Sequence, residues 1–136
     1  MHFVYDKLDQ ELISTSYAFK TLFNNTLTCF SSDSPVESLN PFLGIYHAVT
    51  RTDLEGRKIF NLHESMSVIN AIKAYTENGA YLSFEENIKG KIQEGYLADL
   101  IIVDDDIYET KIENIKDIKV LYTITGGKIV YSYLDE

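Results

Sequence analysis

Up to Gly90 the apolar residues of this chain recur at helical spacing; beyond it they run together or alternate as they do in strands. Phe19, Leu22 and Phe23 share one face of a helix predicted over Ser16–Asn25, with Ser16 as its N-cap. Leu27 to Ser31 follows as a short buried strand. Asn40-Pro41 opens a second helix, the Asn as cap and the Pro at the first helical position, where a missing N–H costs nothing. Phe42, Ile45, Tyr46 and Val49 form its apolar face, and Thr50 to Asp53 closes it. Asn61-Leu62-His63-Glu64 has the form of a capping box and predicts a third helix over Glu64–Glu77. Asn78-Gly79 reads as its stop signal, and Thr76 as the cap of a helical turn through Ala80, Tyr81 and Leu82.

Past Gly90, Leu97 to Val103 reads as a strand. Its run Leu100 to Val103 is apolar on both faces, which predicts a place inside a sheet. Asp104 to Lys116 is a polar excursion. Ile118–Thr125 and Lys128–Tyr133 then pair as a hairpin across Gly126-Gly127, where two glycines supply the positive φ of a tight turn. The expected fold is mixed α/β: helices first, then a predominantly antiparallel sheet, in one compact unit.

Composition narrows the functional classes. At 136 residues the chain fits one domain, and is too short for a whole (β/α)₈ barrel of about 250 residues. Twelve basic against twenty-one acidic residues give a net charge of −9, which repels phosphate backbones and anionic lipid. Nucleic-acid and membrane-surface binding are therefore not expected. Cys29 is the only cysteine, which excludes an internal disulfide, and its apolar neighbours predict a buried, inert thiol. The opening MHFVYDKLDQ lacks the pattern of a signal peptide, and no run approaches the about eighteen apolar residues of a membrane span. A cytoplasmic location is expected.

Candidate chemistry centres on Asp33, in the stretch TCFSSDSPVESLNP. An apolar run that breaks into Ser-Ser-Asp-Ser-Pro delivers a carboxylate to the open end of a sheet, where metals and substrates bind. The same spacing also suits an Asx turn bonding its own backbone before Pro35. Ser31, Ser32 and Ser34 read as turn residues, since no His–acid pair is in evidence to activate them. His47 reads as a partly exposed helix residue, His63 as a helix-start residue, and Arg51 as a partner of the helix dipole. Asp104-Asp105-Asp106 lacks the spaced ligands and glycine of a calcium loop and reads as a solvated strand end.

The stretches FSSDSPVESLNPFLGIYHAVTR, AIKAYTENGAYLSFEENIKGKIQEGYLADLIIVDDD and ITGGKIVYS, in that order, resemble the C-terminal part of amidohydrolase family 3. The resemblance runs from about Ser16 to Tyr133. It implies a TIM barrel carrying a small β-sandwich, a divalent, zinc-like metal, and hydrolysis of non-peptide, amide-type carbon–nitrogen bonds. On that plan residues 1–89 are the last strand–helix unit of the barrel and 90–136 the sandwich portion. Leu27–Ser31 becomes the eighth barrel strand. Asp33 becomes the acid that binds metal or orients the metal-bound water and shuttles its proton.

One departure shapes the expectation. The family draws other ligands from a His-x-His pair and further histidines, whereas this chain has only His2, His47 and His63, none so paired. It is therefore expected to be the last quarter of such an enzyme, inactive by itself and without a metal of its own. Asp33 would be a ligand only when a partner complements it. Two partners are expected candidates: a separate N-terminal barrel chain that restores a split enzyme, or a second copy in a homo-oligomer, most simply a two-fold dimer. The alternative to a hydrolase is a non-catalytic domain that only oligomerises.

Overall fold

A computed structural model describes residues 2–135, with side chains from Val4 to Leu134. Six α-helices precede a three-stranded sheet among these residues. The helices are α1 (His2–Lys7), α2 (Gln10–Thr15), α3 (Phe19–Asn25), α4 (Pro41–Thr50), α5 (Val68–Tyr75) and α6 (Glu77–Leu82); the strands are β1 (Leu100–Val103), β2 (Val120–Thr125) and β3 (Lys128–Ser132). No helix among them is long and apolar enough to cross a membrane.

Helix α4 is the centre of the core, and its bounds are those its sequence predicts. Asn40 Oδ1 accepts from Phe42 N at 3.0 Å, and Pro41 takes the first helical position. Phe42, Ile45, Tyr46 and Ala48 are buried against Met66, Ala71, Ile115 and Ile118. Ala71 and Ala74 are small enough to bring α5 close. Ile115 sits in the turn Ile112–Asp117 between β1 and β2, so one core joins the helical part to the sheet part.

The sheet order is β1-β2-β3, antiparallel throughout. Gly126 (φ 55°) and Gly127 (φ 77°) make the two-residue hairpin turn at left-handed angles that side-chain-bearing residues disfavour. The β1 expectation needs correcting. The strand lies at the sheet edge, and Ile101 and Ile102 are each 45% exposed, because only β2 flanks it among the described residues.

Several local signals resolve differently from the sequence reading. Ser16 ends α2, and α3 starts only at Phe19, with no side-chain cap. The Asn61–Glu64 box does not start a helix. Asn61 is left-handed (φ 47°), and its Nδ2 donates to Ile13 O and Ser16 O instead. Leu62–Glu64 is one 3₁₀ turn, and Ser67 caps α5 by accepting from Asn70 N. Asn78-Gly79 lies inside α6, with Asn78 buried and donating to Thr28 O at 2.7 Å. Thr76 marks the helix break (φ −117°, ψ −86°), but its hydroxyl donates back to Ile72 O and caps nothing. Finally, Leu27–Ser31 pairs with no strand among the described residues.

Ile115 is fully buried (0%), so Ile115→Ala is expected to lower the unfolding free energy by about 2–5 kcal/mol. Ile69→Ala, at a position 63% exposed, should cost under about 0.5 kcal/mol in the same urea titration.

Candidate functional site

The segment Leu27–Ser31, the loop after it, α4 and the loop 51–60 enclose a cleft of about 830 Å³. Its lining includes the apolar Phe19, Phe30, Leu43 and Tyr75, the polar Ser31, Ser32, Asn40 and His47, and the charged Glu37, Arg51, Asp53 and Glu55. The rings of Phe19 and Phe30 stand 5.4 Å apart, and those of Phe30 and Tyr75 5.6 Å, so the aromatic residues form one continuous row. Cys29 is half-buried and lines the cleft; the prediction of a buried core thiol is corrected.

Asp33 lies one residue beyond the cleft-lining Ser32 and is exposed. Its backbone is left-handed (φ 55°), a conformation Asp tolerates better than most residues. Its carbonyl accepts from Val36 N at 2.9 Å, and Ser34 N donates to Ser32 Oγ at 3.2 Å. Ser32 thus makes the side-chain turn bond that the Asx reading assigns to Asp33. The Ser34–Pro35 peptide is cis. No hydrogen bond or ion pair reaches the Asp33 carboxylate from a described residue.

His47 is half-buried and lines the cleft. Its Nδ1 lies 2.7 Å from Thr52 O and must carry the proton, since a carbonyl only accepts. His63 lies outside the cleft lining, exposed, with Nε2 3.9 Å from Glu64 Oε1. The side chain of His2 falls outside the described residues. Among the described residues no three His, Cys, Asp or Glu side chains gather as a metal centre requires. Asp33 has no second ligand beside it, so the described residues do not by themselves form a metal centre. Asp104, Asp105 and Asp106 each accept a nearby backbone N–H, which is the work of a strand-end turn.

The feature the sequence reading missed is Arg51. It is 1% exposed, with Nε donating to Phe60 O and Nη2 to Tyr17 O, each at 3.1 Å. The guanidinium carbon lies 5.1 Å from the Phe19 ring centre and 5.7 Å from that of Phe60. Burial pulls its pKa below the ordinary arginine value, and the Glu64 charge partly restores it. Glu64 is also buried, and accepts from Thr21 N at 2.8 Å and Thr21 Oγ1 at 2.5 Å. Burial pushes the Glu64 carboxyl up, but the two Thr21 bonds, the His63 charge and the Lys20 N–H together hold it below 4.5. The available signal was Ile59-Phe60, an apolar pair at the end of a loop after Arg51 whose other residues, Leu54 apart, are polar or glycine.

The model of the amidohydrolase family matches residues 1–131. The chain belongs to the amidohydrolase family. This amidohydrolase-family chain is 34% identical over 131 residues to the putative amidohydrolase YtcJ of Bacillus subtilis (strain 168), covering 94% of this chain and 25% of that protein. It is 27% identical over 101 residues to the N-substituted formamide deformylase of Arthrobacter pascens, covering 74% of this chain and 18% of that one. A crystal structure of an uncharacterized metal-dependent hydrolase from Pyrococcus horikoshii OT3 superposes with a TM-score of 0.71 at 28% identity. That likeness covers 81% of this chain and 23% of the other. The chain thus spans a quarter or less of each of these relatives.

Two outcomes test the buried charges. Arg51→Met leaves the carbonyl of the buried Phe60 without its Arg51 donor and the buried Glu64 without its opposing charge, and is expected to cost about 2–4 kcal/mol in denaturant unfolding. Because the folded Glu64 carboxyl titrates below the ordinary 4.5, its stabilisation is complete above that value and is lost as pH falls through the lower folded one. The stability gap between the native chain and Glu64→Gln should therefore close below pH 4.5, as read by urea midpoints across pH.

Proposed function

We propose that this chain is the C-terminal quarter of a metal-dependent amidohydrolase that cleaves amide-type carbon–nitrogen bonds, with Asp33 as its acid–base residue. The observation that carries this reading is the position of Asp33. It is an exposed carboxylate on a turn pinned by Val36 and Ser32, just after the apolar stretch that ends at Phe30 and beside an open cleft. Family membership supplies the reaction class, and the relative named for deformylating N-substituted formamides supplies the substrate class, a carbonyl joined to a substituted nitrogen.

On this reading Leu27–Ser31 is the last barrel strand and α4 the helix after it. Residues 1–89 complete a barrel and 90–136 complete a sandwich. Asp33 takes a proton from the attacking water and hands it to the departing nitrogen, which leaves as a neutral amine. The intact enzyme's divalent ion needs more ligands than the described residues bring together, and a histidine-bearing portion of the family's chain would supply them.

A second reading, a non-catalytic domain that dimerises, rests on the apolar positions β3 leaves exposed at Ile129 and Val130. Light scattering on the purified chain separates the two: a stable dimer without added partner favours the second.

The catalytic reading is tested with an N-substituted formamide, zinc, and the histidine-bearing portion of the Arthrobacter pascens relative. The chain alone should give no turnover, and the mixture should give some. Asp33→Asn should then lower the rate about 10²–10⁴-fold. Turnover by the chain alone, or a mixture indifferent to Asp33→Asn, defeats the proposal.

A further inference from the structure

Asn78 is a polar side chain buried in a helix, 6% exposed, and the functional reading above gives it no part. Its Nδ2 donates to Thr28 O at 2.7 Å; a carbonyl only accepts, so the amide must present its nitrogen there. Two residues further along, Phe30 N donates to Ala74 O of α5 at 3.0 Å. Among the described residues these are the hydrogen bonds that tie Leu27–Ser31 to other elements, and they fall five and three residues before Asp33.

The helix pair is shaped to present that amide. Thr76 (φ −117°, ψ −86°) breaks the helical run between α5 and α6, and Asn78 is the second residue after the break. Gly90 packs on the same turn so closely that a Cβ on it would stand 2.8 Å from Ala80 Cβ and 3.2 Å from Glu77 Cα. Helix α6 is therefore braced by a backbone contact as well as by its bond to Thr28. Helix formation does not ask for Asn at this point, since Ala forms helix better. Burying an amide is tolerable only when its donor is used, and the use here is the segment before Asp33.

We infer that Asn78 is a positioning residue for Asp33. By holding Thr28 O against α6 it fixes the line along which the chain enters the Asp33 turn, and the Phe30–Ala74 bond carries that constraint to within three residues of the carboxylate. The turn itself is pinned from within, Val36 N on Asp33 O and Ser34 N on Ser32 Oγ. It therefore follows the segment as a unit instead of relaxing when the segment moves. The inference rests on the functional reading of Asp33 and assigns Asn78 no contact with substrate.

The test is NMR on the 136-residue chain, reading amide hydrogen exchange and N–H residual dipolar couplings. In Asn78→Ala the Phe30 amide should exchange about tenfold faster. The couplings of Asp33, Ser34 and Val36 should shrink about twofold as the turn averages over orientations, while those of α4 hold. Ile115→Val, a mild loss in the core, should leave these amides as they are in the native chain. With zinc and the histidine-bearing portion of the Arthrobacter pascens relative, Asn78→Ala should lower kcat for an N-substituted formamide about tenfold with KM unchanged. If Asn78→Ala fails to fold, Asn78→Ser serves instead, its hydroxyl stopping one bond short of Nδ2. Failure of both marks a residue that serves the whole fold and overturns the inference. So does a turn whose couplings match the native chain's, or a kcat indifferent to Asn78. A loosened turn with no turnover in any mixture leaves Asn78 as the anchor and removes the catalytic role of Asp33. Turnover that needs Asp33 but not Asn78 does the reverse.

Discussion

Arg51 leaves α4 in a left-handed turn (φ 59°, ψ 22°), and that turn sends its guanidinium inward between the rings of Phe19 and Phe60. A buried cation is tolerable only when its donors are used and its charge is answered. Both conditions draw in distant parts of the chain. Tyr17 O and Phe60 O take its N–H groups, Phe60 N returns a bond to Arg51 O at 2.8 Å, and Glu64 supplies the opposing charge. The α2–α3 junction, the end of α4 and the loop that follows are therefore locked by one side chain. Local helix propensity would not do this: α2 and α3 have 6 and 7 residues, below what stands alone in water.

The lock extends to the candidate site by direct contact. Phe19, held over Arg51, packs on Phe30, and Phe30 packs on Tyr75 of α5. Phe30 is three residues before Asp33, so the direction in which the chain leaves the aromatic row sets where the carboxylate stands. Sequence and geometry meet here. The apolar run before Asp33 gives the loop a fixed origin, while Ser32 and Val36 fix the turn itself.

Features that depend on residues close in sequence were legible from it. Asn40-Pro41 starts α4 because cap and first turn are adjacent, and Gly126-Gly127 makes a hairpin because the turn needs two positive φ values in succession. What the sequence hid is decided over long range. Asn61 and Glu64 have the types of a capping box, yet Asn61 bonds Ile13 and Ser16, and Glu64 bonds Thr21 more than forty residues away. Asn78-Gly79 looks like a helix end until Asn78 is needed by Thr28 O. Arg51 at a helix terminus looks like a dipole partner until two aromatic rings from other elements enclose it. As for the site, Asp33 was visible as a type and a position, whereas the cleft beside it was not, because its walls come from four separate stretches of chain.

Leu27–Ser31 shows why a strand is a relation rather than a property of a segment. Its residues favour the extended state, but a ladder requires a second chain segment at about 4.8 Å. Leu27–Ser31 has no such neighbour among the described residues, and the Asp33 turn beyond it is exposed to solvent. In so polar a medium a carboxylate acts weakly on its neighbours, since charges a few ångströms apart interact several-fold more strongly once solvent is removed. Under the proposed function, closing the barrel does two things at once: it gives Leu27–Ser31 a neighbouring strand, and it places Asp33 in surroundings where its charge can direct a reaction. Assembly and chemistry are then one event, because the segment that lacks a neighbour leads within two residues to the acid that lacks shelter.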